Sequence, residues 1–163
     1  MKKIGVYPGT FDPMTNGHIN IISRSLKIFN KLIIGVAENA NIKPLLSTSE
    51  RINIIENDIN IHNLESMKIE IHVLKGLLTD FAKQFNANCI IRGLRAVSDF
   101  ESEFQMTGMN YQLNPDIETI FLMTSDNNSF ISSSLVKEVH KLGGDVSKFV
   151  SKNTINVLDN KNR

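Results

Sequence analysis

The sequence predicts a single-domain α/β protein with a doubly wound, five-stranded parallel sheet and helices on both faces. Three observations carry this. Short apolar runs alternate with longer amphipathic stretches along the chain, the signal of parallel strands joined by crossover helices. The first apolar run passes straight into a turn-rich loop and then an amphipathic helix. The 163 residues suit one domain with one substantial core.

The candidate strands are residues 3–7, 31–37, 68–74, 88–92 and 118–123, each a short run rich in Ile, Val, Leu or Phe. The first helix follows the opening loop and puts Ile19, Ile22, Leu26 and Phe29 on one face. A second starts near Ser47-Thr48-Ser49-Glu50, where a hydroxyl can cap and Glu50 suits the first turn. A third spans about 77–85, a fourth about 99–112, and a fifth about 132–142, where Gly143-Gly144 stops it. From about 151 the chain is polar, with one short turn expected around Ile155 and Leu158. In such a fold ligands bind at the carboxyl ends of the strands, where strand order reverses. The loops after strands one, two, four and five are therefore the informative ones.

Composition narrows the function classes. Eighteen Lys and Arg against 17 Asp and Glu argue against a nucleic-acid binder working through bulk charge. No apolar run reaches the length of a membrane span, and the start reads as a strand without a secretory leader, so a cytoplasmic protein is expected. The single Cys89 allows no internal disulfide or cysteine metal site and reads as a buried strand residue. Abundant Asn, Ile and Lys fit an AT-rich coding sequence, and the Asn residues are scattered.

Four loops could carry chemistry. Gly9-Thr10-Phe11-Asp12-Pro13-Met14-Thr15-Asn16-Gly17-His18 delivers His18 to a helix start, where backbone N–H groups and the helix dipole favour anions. A tight connector would also need Gly and Pro, but it would not need the whole string from Pro8 to His18. Arg92-Gly93-Leu94-Arg95 offers two forked guanidiniums suited to phosphate oxygens, with Gly93 allowing close backbone approach to a ligand. Asn128-Ser129-Phe130-Ile131-Ser132-Ser133-Ser134 places three serines at a helix start, more than capping needs. Lys43, after strand two, is the fourth feature, although a lone lysine is usually a solvated surface charge.

The acidic turn Asp99-Phe100-Glu101-Ser102-Glu103 is accounted for by the dipole of the fourth helix. His72 alternates with Ile71 and Val73 and is expected to face outward, while His62 and His140 lie in polar surroundings. No metal-ligand spacing, Ser-His-Asp order or carboxylate pair stands out.

Together, residues 8–18, 91–101 and 129–137 resemble the bacterial phosphopantetheine adenylyltransferases. These belong to a nucleotidyltransferase superfamily with a His/Thr-x-Gly-His motif, here Thr15-Asn16-Gly17-His18. The resemblance covers about residues 3 to 150. It implies a Rossmann-like fold and in-line adenylyl transfer from ATP to 4′-phosphopantetheine, giving dephospho-coenzyme A and pyrophosphate without a covalent intermediate. It also implies that His18 stabilises the transition state. Thr10, Phe11, Gly93, Leu94, Arg95, Glu103 and the loop Asn128, Ser129, Phe130, Ile131, Ser132, Ser133 and Ser134 would hold ATP along with His18. Thr10, Leu78 and Arg92 would hold the acceptor. Mg2+ would come on the ATP phosphates, with no protein side-chain ligand. A homohexamer with coenzyme A as feedback inhibitor is implied as well, with neither nucleic acid nor membrane as partner.

Two positions depart from the family pattern. The second loop reads Asn41-Ile42-Lys43-Pro44 where family members usually read Ser-Lys-Lys-Pro, so Ile42 takes the place of a phosphate-contacting lysine and Lys43 is its candidate substitute. Phe100-Glu101-Ser102-Glu103 replaces a usual Phe-Glu-Tyr-Glu, removing a ring near the pantetheine and inhibitor sites. A related nucleotidyltransferase with another acceptor, or a non-catalytic nucleotide sensor, are the alternative readings.

Overall fold

A computed structural model describes residues 3–38, 43–124 and 131–161. Five parallel strands form one sheet: β1 (Ile4–Gly9), β2 (Lys31–Ala37), β3 (Ile69–Leu74), β4 (Cys89–Leu94) and β5 (Glu118–Met123), in the order β3-β2-β1-β4-β5. The helices are α1 (Asn16–Ser25), α2 (Thr48–Ile61), α3 (Leu78–Gln84), α4 (Val97–Leu113), α5 (Ser133–Lys141) and α6 (Lys152–Lys161). A 3-10 turn, Ser66–Lys68, precedes β3. The expected strands and first five helices are all present, and the bounds expected for them shift by up to two residues, the ordinary scatter of fraying ends. The first helix is the exception: α1 ends at Ser25, so Leu26 and Phe29, expected on its face, follow it in a turn. Among the described residues no helix is long and apolar enough to cross a membrane.

Two apolar layers sandwich the sheet. On one face Ile19, Ile22, Leu26 and Phe29 of the α1 segment, with Ile54 and Ile55 of α2 and Val136 of α5, pack on Leu32, Ile34 and Ile91. On the other, Phe81 and Ala82 of α3 pack on Val6, Ile33 and Ile90. Alternate residues of β2 and β4 thus serve opposite faces, as a strand covered on both sides requires.

The polar segment after 151 is more ordered than its composition suggests. It forms the ten-residue α6, anchored by the fully buried Leu158 and Thr154 and tied by Lys161 to Glu50 and by Asp159 to His140. Its apolar anchors are spaced by helical periodicity but are too few to stand out by themselves. Two smaller expectations are also corrected. Cys89 is only half-buried, because it lies at the amino end of β4. His72 does not simply face water: its ring leans on Phe85 at 4.4 Å and meets Glu70 at 3.2 Å, since β3 is an edge strand whose outer face α3 partly covers.

The register shows where the sheet opens. β1 pairs with β2 over six positions and β4 with β5 over six, but β1 meets β4 only at Gly5–Cys89 and Val6–Ile90. Beyond Val6 the two central strands part. That is the point of reversal in strand order, so the crevice lies between the carboxyl ends of β1 and β4.

Candidate active site

A cleft of about 760 Å³ fills this crevice. Its lining includes Thr10, Phe11, Asp12, Gly17 and His18 from the opening loop and α1, and Arg92, Gly93 and Arg95 from β4 and its loop. Lys43, Leu78, Glu103, Ile131 and the serines 132, 133 and 134 complete the site residues expected there. Leu94, by contrast, is buried under the loop, because alternation turns its side chain away from its neighbour Gly93. Ile42, Asn128, Ser129 and Phe130 lie outside the described residues.

The opening loop folds tightly on itself. Phe11 is buried and holds a positive φ of 51°, a conformation rare for a bulky residue and characteristic of functional loops. Its ring doubles back over Gly9, where a Cβ would come within 2.9 Å of it, so Gly9 has to lack a side chain. The same ring meets His18 edge-on at 5.1 Å and Tyr7 at 5.5 Å. The Asp12–Pro13 peptide is cis.

His18 occupies the third position of α1 and completes a capping box with Thr15, where Glu or Gln is usual. The Thr15 backbone N–H donates to His18 Nδ1 at 3.0 Å. A backbone amide can only donate, so Nδ1 is the acceptor and the ring proton lies on Nε2, at the far side of the ring from Thr15. Burial, reinforced by the positive charge of Arg95, pushes the His18 pKa down to about 4. His18 is therefore a neutral imidazole near pH 7 with one N–H to offer.

The helix start is less open than the sequence suggests. The Asn16 N–H donates to Phe149 O at 2.8 Å, and the capping box takes the His18 N–H. Among the described residues only the Gly17 N–H of this turn remains to meet an anion, and Gly17 lines the cleft. The serine run divides similarly. Ser132 Oγ caps α5 by accepting from the Leu135 N–H, and Ser133 Oγ donates to Pro13 O at 2.7 Å. Ser134 stays exposed at the rim.

Each arginine of the site is held by a carboxylate of α4. Arg92 makes a two-pronged pair with Glu103 through Nε and Nη2, and Nη1 reaches Pro8 O. Arg95 pairs with Asp99 at 3.1 Å and also reaches Ile131 O. Asp99 and Glu103 are thus clamps, a role that helix-dipole reasoning does not reveal. The i,i+4 spacing of Arg95 and Asp99 does hint at it. Gly93 lines the cleft and has a packing reason as well: a Cβ there would meet Ile21 of α1 at 3.2 Å, so the glycine admits close helix packing.

Three further charged groups emerge only from the tertiary structure. The buried Asp12 carboxylate accepts from the Leu45 and Leu46 N–H groups and pairs with Lys137 of α5, which also lines the cleft. Arg51 lies fully buried beneath, its Nη1 donating to Thr10 O at 2.7 Å and to Ala37 O at 2.9 Å. It joins the carboxyl ends of β1 and β2. Leu74, Leu77, Leu78, Met106, Met109 and Leu113 also line the cleft and give it an apolar wall.

Comparison with known proteins agrees with this geometry. The cytidylyltransferase-like family profile matches residues 6–139. A phosphopantetheine adenylyltransferase of Wolbachia pipientis wMel is 56% identical over 161 residues, spanning 99% of this chain and 94% of that one. That of Coxiella burnetii (strain Dugway 5J108-111) is 53% identical over 150 residues, spanning 92% and 91%. Among solved structures, a nicotinic acid mononucleotide adenylyltransferase from Plasmodium falciparum, complexed with NaAD, superposes with a TM-score of 0.75 at 18% identity. It covers 99% of this chain and 97% of that one, and it shows the shared fold. The chain belongs to the cytidylyltransferase-like family and, within it, to the phosphopantetheine adenylyltransferases.

Proposed function

We propose that this protein transfers the adenylyl group of ATP to 4′-phosphopantetheine, in the cytoplasm, yielding dephospho-coenzyme A and pyrophosphate. An oxygen of the pantetheine phosphate attacks the α-phosphorus in line, the bond from that phosphorus to the bridging oxygen breaks, and pyrophosphate leaves with the electron pair. The observation that carries the reading is His18: a neutral imidazole with its proton on Nε2, on a cleft lined by Arg92, Arg95, Lys43 and Lys137 as well as by apolar side chains. Such a donor stabilises charge gathering on the α-phosphoryl oxygens. With Nδ1 engaged by Thr15 and Nε2 protonated, the ring has no free lone pair to act as a nucleophile.

Roles for the remaining residues are those the family resemblance implies, and their shared place on the cleft wall supports them. Thr10, Phe11, Gly17, Gly93, Arg95 and the serine turn surround the nucleotide position, and Arg92 and Lys43 face the acceptor phosphate. Leu78 and the apolar wall suit the pantetheine arm. Mg2+ belongs on the triphosphate, where it neutralises charge. The two carboxylates lining the cleft, Asp12 and Glu103, are already engaged by cations or amides and fit poorly as its ligands. Coenzyme A, which carries both halves of the product, would compete at the same cleft. The exposed apolar residues Phe100, Phe104 and Tyr111 of α4 support assembly into a homohexamer.

The test is pyrophosphate release from ATP with 4′-phosphopantetheine, nicotinate mononucleotide or glycerol phosphate as acceptor. Turnover is expected only with the first. Turnover with one of the others, and none with pantetheine phosphate, would reassign the acceptor; binding of ATP without turnover on any acceptor would favour a sensor.

A further inference from the structure

We propose that Asn16 is a positioning residue that fixes His18 by clamping the start of α1 to the turn that follows α5. The inference rests on the transition-state role given to His18 above. Asn16 makes two bonds to successive carbonyls of that turn: its backbone N–H donates to Phe149 O at 2.8 Å and its Nδ2 donates to Lys148 O at 3.0 Å. The Lys148 contact joins residues 132 positions apart in the chain.

The turn is anchored in the core. Val146 and Val150 are buried in the main core, the Phe149 N–H donates to Val146 O at 2.9 Å, and the Ser147 N–H donates to Asp145 Oδ1 at 2.8 Å. Asn16 opens α1 and His18 is two residues further on, in the same turn. A tilt of that turn would carry the imidazole with it. It would also move Thr15, whose N–H sets the ring's orientation and tautomer. Local capping determines which nitrogen of His18 carries the proton, but it does not determine where the first turn of α1 sits above the sheet. The paired bonds from Asn16 supply that second constraint. Donor placement within a fraction of an ångström is what electrostatic catalysis needs, and displacement of about 1 Å can cost two orders of magnitude in rate.

Asn16→Ala tests this. Alanine is the best helix former, so α1 loses no propensity, and the backbone bond to Phe149 remains. With ATP and 4′-phosphopantetheine, kcat is expected to fall about tenfold while the KM for ATP stays within about twofold. The thermal midpoint should stay within a few degrees of the unsubstituted protein. Asn16→Leu, close in volume and without a donor, should behave the same way.

The deciding measurement is the double variant. Because Asn16 acts through His18, Asn16→Ala should have almost no further effect on kcat in a His18→Ala background. An undiminished tenfold loss in that background would overturn the proposal, as would unchanged kcat in the single variants or a rate loss matched by a collapse in thermal midpoint. Absence of turnover in the unsubstituted protein would count against the adenylyltransferase reading instead.

Discussion

At the scale of single residues, the most consequential feature is a histidine kept neutral and aimed. His18 spends one nitrogen on the Thr15 amide and keeps the proton on the other. Truncation to His18→Ala is expected to reduce kcat by about 10²–10³, the usual cost of deleting one preorganised donor, with little change in ATP affinity. Steady-state kinetics with separate ATP titrations would show this, and equal losses in kcat and affinity would mean that His18 only binds. The low pKa has a second consequence. Folded His18 titrates near 4 and an unfolded histidine near 6.5, so between those values the unfolded chain binds more protons. Its contribution to stability is therefore undiminished above pH 6.5 and is lost as pH falls toward 4. Urea unfolding across this window should show a decline that is smaller in His18→Asn.

Elements are joined at the site by charges that belong to none of them alone. Asp12 links the opening loop to the segment entering α2 through the Leu45 and Leu46 amides and to α5 through Lys137. In Asp12→Asn an NH2 group would face an amide or the lysine, leaving buried partners unsatisfied. The expected cost is about 2–4 kcal/mol, read as a lower denaturant midpoint at unchanged slope. An unchanged midpoint would show that the three segments are held independently. α4 acts in a comparable way through Asp99 and Glu103, which pair with the two arginines at the cleft. Arg51 fixes the ends of β1 and β2 from below, where an unpaired buried charge would be costly.

For the whole molecule, the divergence of β1 and β4 beyond Val6 creates the cleft, and α4 stands over it with most of its surface exposed. Glu103, Met106, Asn110 and Leu113 share its cleft-lining face, while Phe100 and Phe104 pack together elsewhere on the helix, leaving Phe104 63% exposed. Exposed aromatics of this kind mark interaction surfaces. The proposed hexamer predicts that Phe104→Glu lowers the assembly mass seen by light scattering while the helical signal is retained. An unchanged mass would place the interface elsewhere.

The sequence by itself determined the alternation of strands and helices, the buried face of α1 and the loops whose described residues line the cleft. Hydrophobic periodicity and turn residues are local properties, and so is the spacing of the Thr15-Asn16-Gly17-His18 motif. The tertiary structure alone decided which donors those loops keep free. It alone showed Glu103 closing on Arg92 across eleven residues, Lys137 reaching Asp12 across 125, and Asn16 clasping the turn at 148–149. The reason is that a hydrogen-bonding group can be spent only once, and its partner in this fold is chosen by the strand order 3-2-1-4-5, which no local pattern encodes.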